Sequence, residues 1–246
     1  MLWFENRNIS IFSSQKSDGD FLFKTDFPRL NQKVKQNRLK FFKKHKIDPR
    51  RLVNLAGIHG VNIDTITCDS ILGNGSLNPD TRIKNTDGLI TNIKNSYLMV
   101  TGADCFPVLF YDEKNKAIGA MHAGWKGLLK EIAAEMLKKF VTDFSTDPAN
   151  LSVWMGPGIK SCHFEVKNDV GALFEKNYKN EIIERDGRTF IDLPKIIKVQ
   201  LTALGVQPEK IVEHPDCTFC GKDKYFSYRR DKPKVIHSNA YIIHLK

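Results

Sequence analysis

Residues 103–130 read ADCFPVLFYDEKNKAIGAMHAGWKGLLK. Two continuous apolar runs, PVLFYD and AIGAMHAG, are separated by a turn at Glu113 to Lys116, and runs of this kind imply neighbouring strands covered on both faces. After Gly124, Leu128, Ile132, Met136 and Phe140 recur every four residues. That spacing predicts one helix, LLKEIAAEMLKKF, ending near Phe140. Gly127 is expected to permit close approach to its N-terminus, where unpaired amides favour anions. The two strand-like runs also deliver metal-competent side chains, Cys105 and His122, and the earlier IHG turn adds His59. Zinc accepts a thiolate and two imidazoles, and three protein ligands leave a tetrahedral position open for water or substrate, which suggests catalysis rather than scaffolding. The separations, 46 and 17 residues, are too long for a zinc-finger knuckle, so the three must converge through the fold. Taken singly, Cys105 and His122 read equally well as ordinary buried strand residues.

Outward from this stretch the pattern is strand-rich. LWFEN, ISIFSS and DFLFKT read as short strands, and a basic helix follows from Lys33 to Arg51 with Val34, Leu39, Phe41 and Phe42 on its apolar face. Leu52 to Leu55 and Val61 to Thr67 read as strands around the turn Gly57-Ile58-His59-Gly60, whose glycines let backbone pass close to a ligand. Residues 69–86 form the longest loop candidate, of a size associated with lids or disorder. GLITNI, YLMVTGADC and LSVWMGPGI continue the strands, with helices at Asp169 to Tyr178 and Leu193 to Leu204. IVEHPDC, a Cys217-to-Gly221 turn, YFSYRR and the strand AYIIHL close the chain. No repeat, low-complexity tract or linker appears, so the expectation is one α+β domain over residues 1–246.

The 246 residues, 41% of them hydrophobic, suffice for a substantial core. No run approaches the ~20 apolar residues of a spanning helix, and MLWFENRNIS lacks a basic region followed by a long apolar segment. Five scattered cysteines (68, 105, 162, 217, 220) argue against a secreted disulfide framework and for a reducing cytoplasm. The net charge of +10 is concentrated at Lys33 to Arg51 and Lys222 to Lys234. No nucleic-acid module accompanies it, so a solvated basic face, or a field favouring an anionic small substrate, is the reading; neither nucleic acid nor membrane is expected as a partner.

The segments IHG (58–60), ADCFPVLFYD (103–112), AMHAGWKG (120–127), GPGIKSCHFEV (156–166) and CT…FSYRR (217–230), in that order, resemble the YfiH-type laccase-domain family, also described as multicopper polyphenol oxidase and as purine nucleoside phosphorylase. The resemblance implies a mixed β-sheet sandwich flanked by helices, with zinc carried by His59, Cys105 and His122 in a cleft near strand ends. It implies a zinc-dependent purine nucleoside phosphorylase acting on adenosine, inosine, guanosine and methylthioadenosine with phosphate, together with adenosine deaminase activity, in a monomer or homodimer. Asn37-Arg38 looks like the family's early Asn-Arg pair and Tyr228-Arg229-Arg230 like its late Arg motif. Arg38 and Arg229 or Arg230 are therefore expected to face phosphate or nucleoside, and Lys126 to attract phosphate. The chain departs from the pattern at Gly57, where the family usually has Gln, and at KVIHSN, where His237 stands near an expected arginine. These departures bear on substrate contacts more than on metal ligands.

Two other chemistries compete. Copper-dependent oxidation of phenols needs a histidine-rich cluster, and seven histidines without a His-x-His pair supply it poorly. A Cys-His hydrolase would use Cys105 as nucleophile with His122 as base. A peptidoglycan-editing role has also been suggested for bacterial relatives. Trp125 suits either a purine wall or the core. Cys217-Thr-Phe-Cys220 has zinc-knuckle or redox spacing, with His214 close by, but no second pair accompanies it. Cys162-His163 reads as a turn packed near the cleft.

Overall fold

The computed structural model describes residues 1–246. One six-stranded sheet runs, edge to edge, through Leu2–Glu5, Ile9–Ser13, Asn239–Leu245, Ser96–Gly102, Leu52–Ala56 and Ile83–Lys84. The second runs through Ile211–Glu213, Leu151–Met155, Phe106–Asp112, Ala117–Ala123, Gly88–Thr91 and Ile63–Ile66. Both mix parallel and antiparallel neighbours. Alternation along each strand sends side chains to opposite faces, and both faces are covered. Leu109, Tyr111, Ile118 and Ala120 of the second sheet meet Val53, Leu98, Val100 and Tyr241 of the first, forming the sandwich core. Val108, Phe110, Met121 and Ala123 point the other way, toward helices. This is why FPVLFYD and AIGAMHA are apolar at nearly every position; all seven residues of each strand are buried.

Six helices flank the sheets: α1 (Asn31–His45), α2 (Trp125–Leu129), α3 (Ile132–Phe144), α4 (Asn168–Tyr178), α5 (Leu193–Ala203) and α6 (Tyr228–Asp231). α1 packs Phe41 and Phe42 on the outer face of the first sheet, and α2 to α5 cover the second. The α+β class and the mixed-sheet sandwich follow as expected. A small third sheet, Glu165–Val166, Arg188–Ile191 and Ile182–Arg185, was not legible as strands.

Several local expectations change. The helix after Gly124 is two helices, broken at Glu131, whose φ of 59° is left-handed, and the second continues to Phe144. Leu128, Ile132, Met136 and Phe140 are nonetheless all fully buried. Gly127 lies inside five-residue α2 rather than ahead of a helix, and a Cβ there would stand 2.9 Å from the Gly60 carbonyl oxygen. On α1, Leu39 is exposed while Asn37 and Arg38 are buried. DFLFKT is not a strand. Its backbone is held by side chains instead: Asn37 Nδ2 donates to the Asp20 carbonyl at 3.1 Å, Arg38 to that of Phe21, and Asn31 brackets Lys24 through both its N–H (2.7 Å) and its C=O (3.0 Å). Residues 69–86 carry two 3-10 turns and the Ile83–Lys84 strand, and are pinned from beneath by Arg38. YFSYRR ends in the single helical turn α6 rather than a strand.

Candidate active site

The antiparallel register of the 106–112 and 117–123 strands pairs Phe106 with Ala123 and Pro107 with His122. Cys105, just before one strand, therefore meets the end of the other, and Gly124 keeps the space open: a Cβ there would lie 3.1 Å from Cys105 Sγ and 2.9 Å from His59 Cδ2. His59 arrives from the turn after the Leu52–Ala56 strand, with a left-handed φ of 58°. The ligating atoms of His59, Cys105 and His122 all lie within 4.8 Å of one another, and the two imidazoles meet edge to face at 4.9 Å. The three residues that the sequence separates are thus brought to one point.

Asp87, which sequence reasoning missed, holds this point together. Fully buried, its carboxylate accepts the backbone N–H groups of Ile58 (3.1 Å), His59 (3.0 Å) and Gly60 (2.7 Å), and sits 2.9 Å from His122 Nδ1. With Nδ1 donating to Asp87, Nε2 is the nitrogen left for a metal, the carboxylate-oriented arrangement common to ligating histidines. Gly57 is the only residue type this packing admits without a shift, since a Cβ would come 2.7 Å from Asp87 Oδ1 and 3.1 Å from His122 Nδ1. The departure from glutamine at position 57 thus accompanies close backbone approach to the Asp87–His122 pair.

Burial works against charge on both Cys105 and His122, yet each overcomes it through the other. The charge of His122 and hydrogen bonds from His122 and His59 draw the Cys105 thiol down to about 6. The Cys105 thiolate, together with Asp87, pushes His122 up to about 10. A soft thiolate beside two imidazoles is a donor set that fits one zinc or copper ion and leaves a position vacant.

Asp104 is the second anchor missed in the sequence. At a left-handed φ of 91°, it accepts the Thr218 hydroxyl at 2.7 Å and the Arg229 backbone N–H at 2.7 Å, tying Cys105 to the 217–230 segment. A non-glycine residue held there stores strain that the two bonds must offset.

The cluster opens into a cavity of about 840 Å³. Its lining includes Phe23, Phe27, Trp125, Phe164 and Tyr228, and the basic residues Lys24, Arg82, Lys126, Arg229 and Lys234, against only Asp26 and Asp104. Lys126 and Arg229 line the cavity. Arg38 and Arg230 do not. Arg38 has no exposed surface, and its five N–H groups go to Phe21, Gly75, Ser76 and Asn54, Phe21 receiving two. Arg230 spends its five on Thr218, Phe219, Tyr225 and twice on Asp231. A guanidinium has five donors, so neither keeps one for a substrate. Arg229 spends one, on the Glu165 carbonyl. His237 pairs with Asp20 at 3.0 Å beside the Lys24–Asp20 bridge and does not line the cavity. Trp125 both lines the cavity and packs toward Phe174, so it serves wall and core together.

No helix is long and apolar enough to cross a membrane. A protein of Bacteroides thetaiotaomicron named purine nucleoside phosphorylase is 32% identical over 81% of this chain and 75% of its own length. The mouse purine nucleoside phosphorylase LACC1 is 29% identical over 74% of this chain, which spans 43% of that longer protein. The crystal structure of the Bacillus licheniformis hypothetical protein YfiH superposes with a TM-score of 0.88 at 28% identity, covering 97% of this chain and 93% of that one. The family profile described as multi-copper polyphenol oxidoreductase laccase matches residues 26–244, and the chain belongs to that YfiH-type family.

Proposed function

We propose that residues 1–246 act as one domain whose cavity binds a purine nucleoside and phosphate and catalyses phosphorolysis of the glycosidic bond, with His59, Cys105 and His122 holding zinc. The observation that carries this reading is the lining: a Cys/His cluster at the floor of a cavity that is both aromatic and basic. Its volume lies within the ~300–1,000 Å³ of small-molecule sites. Flat rings of Trp125, Phe164 and Tyr228 suit a purine, and relatives named purine nucleoside phosphorylase support the same choice. Arg229, with four of its five donors unspent, and Lys126 supply the charge for phosphate. Zinc held by the three ligands would add Lewis acidity and a fixed positive charge toward an oxygen of the reactants.

The protein's own groups have defined tasks. Asp87 fixes the His122 ring and, through three amides, the loop that carries His59. Asp104 fixes the backbone of Arg229 relative to Cys105. The aromatic wall excludes water from the sugar, and the basic residues hold the attacking anion in place, so that proximity and charge stabilisation lower the barrier. Adenosine deamination would be a second activity of the same site, with water rather than phosphate as nucleophile and purine C6 rather than ribose C1′ as the carbon attacked, ammonia being the leaving group.

The test is a product assay with adenosine or inosine, with and without phosphate, on wild type and Cys105→Ala, loaded with zinc or copper. Phosphate-dependent base release that is lost in Cys105→Ala supports the reading. Release unchanged in the variant sinks the ligand role. Phenol oxidation that requires copper would instead favour oxidase chemistry, and metal-free activity blocked by alkylation would favour Cys105 as a nucleophile.

A further inference from the structure

Outside the cavity, a second cluster joins two pairs of residues that the chain separates by more than fifty positions. Cys162 and His163 stand in the turn after Gly156-Pro157-Gly158; Cys217 and Cys220 stand in the turn that follows the Ile211–Glu213 strand. A parallel bridge between Gly158 and Cys217, with the Thr218 N–H donating to the Gly158 carbonyl at 3.0 Å, sets the two turns side by side. The three sulfurs and one imidazole nitrogen then lie within 4.8 Å of one another. Cys162 Sγ and Cys220 Sγ are 3.7 Å apart, and Cys220 Sγ is 3.3 Å from His163 Nδ1.

These separations identify the chemistry. A disulfide needs its sulfurs at ~2.05 Å. Tetrahedral zinc with bonds of ~2.3 Å to sulfur and ~2.0–2.1 Å to nitrogen holds its ligands ~3.8 Å (S to S) and ~3.6 Å (S to N) apart. The 3.7 Å sulfur–sulfur edge matches the second pattern, the 3.3 Å sulfur–nitrogen edge is about 0.3 Å shorter than it, and all edges lie within 4.8 Å. The supporting bonds fit as well: the Lys160 N–H donates to Cys217 Sγ at 3.4 Å, and the His163 ring is held by stacking on Phe219 at 3.9 Å, with 14° between planes. Such outer contacts fix ligand orientation at metal sites. His214, the histidine nearest in sequence to the Cys217-x-x-Cys220 pair, is not part of the cluster; its Nδ1 accepts the Asp216 N–H, and its ring packs on Trp3.

We propose that Cys162, His163, Cys217 and Cys220 form a four-ligand structural zinc site that staples the 156–164 turn to the 217–221 turn behind the cavity. With all four positions filled by protein, the site has no open coordination place and no part in the chemistry. Its consequence is positional. Thr218, between the two ligating cysteines, donates to Asp104, and Phe164, next to His163, lines the cavity. The staple therefore braces the wall that carries Arg229, whichever substrate the cavity takes.

The experiment uses full-length Cys105→Ala protein, so that the cavity cluster offers no sulfur. Reduced and stripped of metal, it is titrated with cobalt. The expected result is one equivalent bound, with thiolate-to-cobalt charge-transfer and tetrahedral d–d absorption, displaced by one equivalent of zinc and accompanied by a rise in melting temperature. The same titration on Cys105→Ala/Cys162→Ser should weaken the charge-transfer band, because one of the three thiolates is gone. The proposal is overturned if Cys105→Ala shows no such band, if the band survives Cys162→Ser unchanged, or if peptide mapping of protein alkylated at lysis finds a Cys162–Cys220 disulfide. Because the first arm needs no change in the cluster itself, misfolding of the Cys162 variant cannot hide the answer.

Discussion

Asp87→Asn is the most informative single substitution, because it is nearly isosteric, replaces one acceptor oxygen with a donor and removes the charge. In the native site Oδ1 accepts His59 and His122, Oδ2 accepts Gly60 at 2.7 Å, and the Ile58 N–H is shared between the two oxygens. If the amide oxygen takes the Oδ1 position, its NH2 confronts the Gly60 N–H, and one part-buried amide is left unpaired at ~1–3 kcal/mol, while the remaining bonds lose their charge assistance. A total near 3 kcal/mol corresponds, at ~2–4 °C per kcal/mol for a chain of this size, to a melting temperature lower by ~6–12 °C. Loss of the carboxylate behind a ligating histidine should also weaken metal binding by ~10–100-fold. Thermal unfolding and zinc competition against a chromogenic chelator measure the two effects. The acid limb gives a third readout. Burial opposes ionisation of Asp87, but His122 and the amides outweigh it and hold the carboxyl below its ordinary value. Its contribution is therefore present above the ordinary carboxylate range and lost as pH falls through the depressed value, and the Asn variant should be flatter there. A melting temperature within about 1 °C of wild type, with unchanged zinc affinity, would refute the idea that Asp87 organises the cluster.

Arg38→Lys should lower stability by ~1–3 kcal/mol in urea titrations, because an ammonium has three donors for four acceptor atoms and strands at least one; Arg229→Gln should leave the urea midpoint nearly unchanged and raise KM for phosphate. Gly57→Ala should cost ~1–3 kcal/mol and reduce metal occupancy, since its methyl would press on Asp87 Oδ1 and His122 Nδ1; an alanine variant with full occupancy and native stability would show that the backbone yields freely. Burial and the charge of Lys246 hold His244, stacked on Tyr97 at 3.9 Å, down to about 4. The unfolded chain thus binds a proton that the fold refuses, and stability should fall as pH drops from ~6.5 toward that value; His244→Phe should flatten this limb.

The parts of the fold legible in the sequence were those in which one residue's neighbours decide its environment. Seven-residue apolar strands buried on both faces, and a helix whose apolar positions recur every four, announce themselves locally. Even the break at Glu131 left that spacing intact, because Leu128 and Ile132 are both buried on either side of it. The convergence of His59, Cys105 and His122 was legible through the motifs around them. Asp87 was not, because a carboxylate beside a strand has no local mark of the three amides that will turn toward it. Nor was the four-ligand cluster, since Cys162-His163 and Cys217-x-x-Cys220 each look incomplete until the Gly158–Cys217 bridge joins them.

The misassigned arginines show the physical reason for the remaining gap. Charge and motif position mark Arg38, Arg229 and Arg230 alike, but what separates them is how many donors the fold consumes, a quantity with no sequence signature. Arg38 and Asn37 hold segment 20–24 in place of a neighbouring strand, and that segment supplies Phe23 and Lys24 to the cavity. Arg230 does the same for the turn containing Thr218, and Asp104 and Asp87 for the segments bearing Arg229 and His59. Beside the strand residues Leu55, Thr101 and His122 and the helix residues Trp125 and Leu193, much of the cavity wall is thus irregular segment whose backbone groups are satisfied by charged side chains rather than by a sheet. Such a wall can be shaped for a ligand as a regular strand cannot, but removing a single clamp leaves several backbone groups without partners at once. Substitutions at these clamps should therefore move stability and cavity geometry together, whereas substitutions at Lys126 or Arg229 should move binding alone.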